Sequence, residues 1–308
     1  MLKADAMNQA KRQRQYGFTL AELATVMVII GLLLGGLMTV LPQQMEHQRF
    51  LQTQKALTDI SDALMGYALS HPGASGRRGY LPCPDSPEAT ATLGDGLEDT
   101  VQISGCNLPS ADPRCGDSDN DGTIGGASDT ATQTVCLSQE GWLPSATLGV
   151  TSSDGWGNRF RYRVDTRFSN HETGLTIGLN SMGNLHVCNN STCNTPIASN
   201  LPVVFLSHGL NASGARNSAF TLNAPPSAAQ VDELQNTNGR NATDTATIAC
   251  PLAPIPPPTT PVIQPPACNF VSHERYETGG AGGQFDDQVG WVPTSLLFNR
   301  LVAAGKLP

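Results

Sequence analysis

Three groups of residues in this 308-residue chain have types and spacing that could do chemistry. In Asp117-Ser118-Asp119-Asn120-Asp121-Gly122-Thr123, carboxylates alternate ahead of a glycine. Asp117, Asp119 and Asp121 can turn their oxygens toward one hard cation while Gly122 permits the sharp turn. Calcium is the expected ion there. Position twelve of such a loop is Ser128, not a bidentate glutamate, and a solvated acidic turn is the alternative reading. Eight cysteines form the second group; with no C-x-x-C pair among them, zinc binding and thiol exchange are poor readings beside disulfides. The third is Glu22, the one ionisable residue in an apolar run over residues 18–41. Hydrolytic chemistry finds little support. His47, His71, His171, His186, His208 and His273 are scattered, His273-Glu274 lacks the second histidine of a zincin, and there is neither a G-x-S-x-G elbow nor a phosphate-binding glycine loop. The chain is not expected to be an enzyme.

Charge and hydropathy place these groups. The formal charge is −8, split into +3 over residues 1–17 and −11 over the rest. Binding to nucleic acid needs a basic face, and none is visible. The run FTLAELATVMVIIGLLLGGLMTVL has 24 residues, enough to span a hydrocarbon core of about 30 Å as a helix. The basic flank then sets the N-terminus in the cytoplasm and exports the acidic body. A carboxylate in that span costs roughly 2.5–3.5 kcal/mol unless it finds a partner. Cleavage between Gly17 and Phe18 would supply one, the new ammonium of Phe18.

Gly17-Phe18-Thr19-Leu20-Ala21-Glu22-Leu23, with Gly31 farther on, resembles the prepilin signature of type IV pilins and type II secretion pseudopilins. The resemblance implies that a prepilin peptidase cuts after Gly17 and N-methylates Phe18, and that Glu22 registers subunits in a helical filament. It also implies other pilins or pseudopilins as partners through their N-terminal helices, together with an inner-membrane assembly platform. The expected location is the inner membrane, single-pass with the head in the periplasm, and then the pilus or pseudopilus. Ala21 stands where family members carry a larger aliphatic residue, and Pro42 falls later than the helix-loosening proline of many pilins. A mature chain of 291 residues is bulky for a close-packed major subunit, so a minor subunit is expected. A membrane-anchored or pilus-borne periplasmic protein that binds or adheres through its acidic and Pro-rich loops is the alternative. The calcium reading of the acidic loop gains from calcium sites in the heads of related pseudopilins.

The expected fold is α+β and pilin-like: a long N-terminal helix packed on an antiparallel sheet, with long disulfide-pinned loops. Residues 1–17 read as leader, 18–41 as membrane or filament-core helix, 42–71 as amphipathic helix and 72–308 as head. Pro42 is expected to kink or locally melt the helix. Beyond it Phe50, Leu57, Ile60, Leu64 and Tyr67 recur at helical spacing until His71-Pro72-Gly73. Stretches without aromatic residues make 81–141 and 221–269 read as loops with little core. Strands are expected over 158–164, 175–179, 185–188 and 202–206, and a short helix over 293–305 stopped by Gly305. Asp154-Gly155-Trp156-Gly157-Asn158-Arg159-Phe160-Arg161-Tyr162 is similar to a stretch of major type II pseudopilins, as is Leu206-Ser207-His208-Gly209-Leu210-Asn211-Ala212-Ser213-Gly214. Gly141-Trp142-Leu143-Pro144 and Gly290-Trp291-Val292-Pro293 read as tryptophan anchors pinning loops to the core. In an oxidising periplasm the cysteines pair, and neighbours in sequence suggest Cys83–Cys106, Cys115–Cys136, Cys188–Cys193 and Cys250–Cys268.

Overall fold

The computed structural model describes residues 17–73, 79–86, 94–108, 115, 126–175, 183–237, 268–280 and 283–307. The chain divides into two compact units, Met1–Gln48 and Arg49–Pro308.

In the first unit the described part is the start of α1 (Leu20–Ser70), and every described side chain from Gly17 to Gly35 is exposed. The side chains of residues 36–41 lie outside the description. Among the described residues no helix is long and apolar enough to cross a membrane. The helix does not melt at Pro42, which lies inside α1 as it continues from Leu20 to Ser70. One absent hydrogen bond costs roughly 3 kcal/mol, which a helix propagating on both sides can absorb.

The second unit is α+β. Its elements in order are the C-terminal half of α1, β1 (Thr100–Ser104), β2 (Thr132–Cys136), β3 (Glu140–Trp142), α2 (Ser145–Leu148), β4 (Arg161–Val164), β5 (Leu185–Cys188), β6 (Pro196–Leu201), β7 (Val203–Ser207), α3 (Val231–Asn236), β8 (Cys268–Val271), β9 (Tyr276–Gly280), β10 (Gly283–Phe285), β11 (Gln288–Val292) and α4 (Thr294–Ala303). The central sheet is antiparallel, in the order β11-β7-β4-β3. Strand alternation gives it two faces. Phe160, Tyr162, Val164, Val203, Phe205 and Val292 face the helices, where they meet Ala56, Ile60, Leu64 and Ala68 of α1 and Leu297 and Leu301 of α4 in one core. Ile60 and Leu64 are completely buried, which identifies the stripe read from spacing as the packed face. Val204 and Leu206, with Val289 and Trp291 beside them, face a second core with Leu185, Val187, Leu201 and Phe270.

That second core carries a three-stranded sheet ordered β6-β5-β8, in which β5 and β8 run parallel. The expected antiparallel layer is therefore joined by a partly parallel one, because the chain returns to β5 only after the long 202–267 excursion. The two tryptophan repeats lie on strands at opposite edges of the central sheet, β3 and β11, not on pinned loops. Of the strand expected at 175–179, only Leu175 is described.

The stretches read as loops hold structure. Within 81–141, β1 and β2 form an antiparallel hairpin, and Leu81, Cys83, Val135 and Cys136 are buried without an aromatic among them. Within 221–269 lies α3. The hairpin also corrects two disulfides. Its register sets Thr100 opposite Cys136 and Ser104 opposite Thr132, so Cys106, past the end of β1, lies at the other end of the ladder from Cys136. Cys106 pairs with Cys115, and Cys136 reaches back to Cys83, one bridge nested inside the other. Cys83–Cys106 and Cys115–Cys136 do not form. Cys188–Cys193 forms as read; the Cys250–Cys268 pairing lies outside the described side chains, as do Asp117, Asp119 and Asp121.

Candidate functional site

The N-terminal site is the first turn of α1. The backbone N–H of Thr19 donates to Glu22 Oε2 at 2.9 Å and its hydroxyl donates to the same oxygen at 3.0 Å, while the N–H of Glu22 donates to Thr19 Oγ1 at 3.3 Å. This Thr-x-x-Glu exchange is a capping box. It satisfies two of the amides that a helix start leaves without partners. A carboxylate in the first turn also meets the positive end of the helix dipole. Glu22 therefore enters the apolar stretch already hydrogen-bonded within its own chain. Phe18 is 82% exposed and a Cβ at Gly17 would meet nothing within 4 Å, so the Gly17–Phe18 bond stands clear of the described residues.

The head places the Asp154–Asn158 turn against α1. Asp154 Oδ1 accepts from the N–H groups of Trp156 and Asn158, both at 2.9 Å, and its Oδ2 accepts from the Ser207 hydroxyl at 2.5 Å. Burial holds the Asp154 carboxyl above its ordinary range, partly offset by these donors. The next residue must be glycine: a Cβ on Gly155 would lie 2.4 Å from the Arg49 carbonyl oxygen of α1. Its N–H donates to Thr53 Oγ1 at 3.0 Å, docking turn to helix. The turn reads as a structural clamp.

On the far side of Ser207 lies a buried carboxylate trio. Glu233 comes from α3, and Asp286 and Asp287 from the turn between β10 and β11; one oxygen of each lies within 4.8 Å of the others. Asn211 holds it from the 207–214 loop, its N–H donating to Asp286 Oδ2 at 2.8 Å and its side-chain amide to Glu233 Oε1 at 2.6 Å. Gln230 donates to Glu233 Oε2 at 2.9 Å, and Asn236 donates to Asp287 Oδ2 at 2.7 Å. Gly209, at φ +61°, makes room: a Cβ there would sit 2.7 Å from Asp286 Oδ1. Burial, then the charge of Asp287, pushes the Glu233 carboxyl up to about 8. Burial likewise pushes Asp286 up to about 6, against a donor from Asn211 and the nearby positive charge of Arg275. The sequence reading missed this trio. Its only trace was the doublets Asp232-Glu233 and Asp286-Asp287, far apart in the chain.

A second grouping, Cys83, Glu98 and His171, offers less. Cys83 is tied into its disulfide. Burial raises the Glu98 carboxyl, but His171, the Cys83 N–H and the Tyr67 hydroxyl outweigh it and leave it lowered. That is a satisfied structural acid. Glu140, buried between Arg161 and Arg163, is likewise paired.

Neither a curated protein nor a solved structure matches the chain. Residues 12–38 match the family described as Prokaryotic N-terminal methylation motif, a span that takes in the Gly17–Phe18 bond, the capping box and most of the exposed apolar turns. The chain thus carries the prepilin-type cleavage and methylation signal of type IV pilins and pseudopilins.

Proposed function

We propose that the chain is a structural minor subunit of a type IV pilus or type II secretion pseudopilus, made as an inner-membrane precursor and assembled through its N-terminal helix. The observation that carries this reading is the methylation motif over residues 12–38, lying on a helix whose described side chains to Gly35 are all exposed. Leu20, Met27, Val28, Leu32 and Leu33 are among them, and burying such surface is worth about 1.5–3 kcal/mol per large side chain. In this mechanism a prepilin peptidase cuts between Gly17 and Phe18 and methylates the new Phe18 amine. Residues 18–41 hold the subunit in the bilayer with the head in the periplasm. An assembly platform then moves the apolar surface from lipid to a filament core of like helices.

Glu22 has two roles in sequence. In the precursor it caps its own helix through Thr19. On assembly its charge meets the Phe18 ammonium of a neighbouring copy, a pairing that needs the carboxylate and not merely an acceptor. Glu22→Gln keeps an acceptor for Thr19 and removes the charge; Glu22→Ala removes both. Both variants are expected to be cleaved normally and to enter filaments poorly, and unchanged incorporation of Glu22→Gln would refute the charge pairing. Mass spectrometry of the purified protein tests processing: the expected N-terminus is Phe18 bearing one methyl group, and an intact residue 1–17 leader in filament-associated protein would overturn the reading. Labelled protein confined to membranes, never on fibres, would favour the alternative of a membrane-anchored binding or adhesion protein.

A further inference from the structure

We propose that Cys83, Cys136, His171 and Glu98 hold one zinc ion in the reduced head, and that the Cys83–Cys136 disulfide later takes the ion's place. With the bridge closed neither sulfur is a thiolate, so the group has no soft ligand to give a metal. A newly made chain carries thiols instead. Opened, these four side chains offer two sulfurs, a nitrogen and an oxygen, a donor set that suits zinc and not calcium or magnesium.

The first ground is distance. One ligand atom each of Cys83, Glu98 and His171 lies within 4.8 Å of the others, and Cys136 is bonded to Cys83. His171 Nε2 stands 3.4 Å from Glu98 Oε2 and 3.9 Å from Cys83 Sγ. Around a tetrahedral zinc ion, nitrogen and oxygen ligands stand roughly 3.4 Å apart, and nitrogen and sulfur roughly 3.6 Å. The cluster therefore has nearly the required spacing before an ion enters, once reduction lets the two sulfurs part.

The second ground is orientation, because the ligands are held from behind. The Tyr67 hydroxyl donates to Glu98 Oε1 at 2.8 Å, which leaves Oε2 toward His171, and the Cys83 N–H donates to that Oε2 at 3.0 Å. Tyr80 stacks on the His171 ring with centroids 4.1 Å apart. The backbone N–H of His171 donates to the Thr134 carbonyl of β2 at 3.1 Å, on the strand that ends in Cys136. Outer contacts of this kind are what aim ligands at a metal. Cys83 and Cys136 are buried, while the side chains of His171 and Glu98 are 17% and 20% exposed, so an ion has a way in from solvent.

Zinc entering the site displaces one proton from each of the two thiols. An external disulfide then takes two electrons from the zinc-bound sulfurs and, with two protons, leaves as two thiols; the Cys83–Cys136 bond forms and zinc departs. Until that exchange, zinc keeps Cys83 beside Cys136 and both away from Cys106 and Cys115, the partners of the inner bridge. Neither step depends on assembly into a fibre.

The full chain in detergent micelles, reduced with a phosphine that is then removed without air, is titrated with zinc against a chromogenic chelator. A bound equivalent is expected that disappears in the Cys83→Ser, Cys136→Ser double variant and is absent from the oxidised protein. His171→Ala is expected to weaken it by about tenfold or more, and cobalt(II) in its place should show the absorption of a tetrahedral thiolate site. Reoxidation by a small disulfide, followed by peptide mapping, should give more Cys83–Cys136 pairing with zinc than without. No zinc bound by the reduced chain overturns the proposal. So does binding that His171→Ala leaves unchanged, since thiols of an unfolded chain would then account for it, and so does pairing indifferent to zinc.

Discussion

The two units of this chain handle polar and apolar groups in opposite ways. Before Gln48, the described apolar side chains from Phe18 to Leu34 are exposed, and Glu22, the one acid in the apolar run over residues 18–41, is satisfied by its neighbour Thr19. After Arg49, most of the described large apolar residues are folded inward, and acids are buried against arginines, amides and one another. In the first unit the capping hydrogen bonds close within one turn, and the described side chains to Gly35 are exposed. The second is finished as a fold, and its chemistry sits in buried charge. Under the proposed function, the difference puts assembly in one unit and structural specialisation in the other.

The comparison predicts that damage to the head will cost much and damage to the helix start little. Removing the outer bridge with Cys83→Ala and Cys136→Ala opens a loop with a sequence separation of 53 and should destabilise the head by about 4 kcal/mol, against about 2.5 kcal/mol for the inner Cys106–Cys115 bridge, separation 9. Urea unfolding followed by tryptophan fluorescence measures both, and a reversed order would contradict the nested arrangement. Glu140→Gln leaves two buried guanidinium groups without their carboxylate and should cost about 3 kcal/mol in the same assay.

The next effect is one of pH. Glu233 and Asp286 are held above their ordinary values, so the folded head binds more protons than the unfolded chain between about pH 4.5 and about pH 8. Stability contributed by these protons is complete below that window and is lost as pH rises through it. The thermal midpoint should therefore fall by a few degrees across the window, and Glu233→Gln should flatten the slope. The smallest effect belongs to the cap. Thr19→Ala should weaken the first turn of α1 by about 1 kcal/mol and leave the head's unfolding midpoint unchanged, because its hydrogen bonds are confined to residues 19 and 22.

What the sequence revealed follows the range of the interactions. Ile60 and Leu64 announced the packed face of α1 because helical spacing is local, and Leu185–Cys188 announced β5 through its period of two. Gly305 announced the end of α4, where it takes φ +67°. The β1–β2 hairpin was silent because Thr100–Ser104 is half-exposed and lacks aromatic residues. Nothing local records which strands pair, so nothing local separates Cys106 from Cys136. The trio was illegible for the same reason: Asp286 meets Glu233 across 53 residues. Thr19-x-x-Glu22 was legible, but a carboxylate in an apolar run draws the eye to distant partners before its own third neighbour.

The nested bridges carry a mechanical consequence. If the chain is a fibre subunit, as proposed above, tension entering the head from α1 would reach Cys83 early. It can leave again at Cys136 through the bridge, bypassing the intervening chain. The separation of 53 residues corresponds to roughly 180 Å of contour that cannot be drawn out while the bridge is intact. The β1–β2 hairpin lies within that span and would be shielded from such a load.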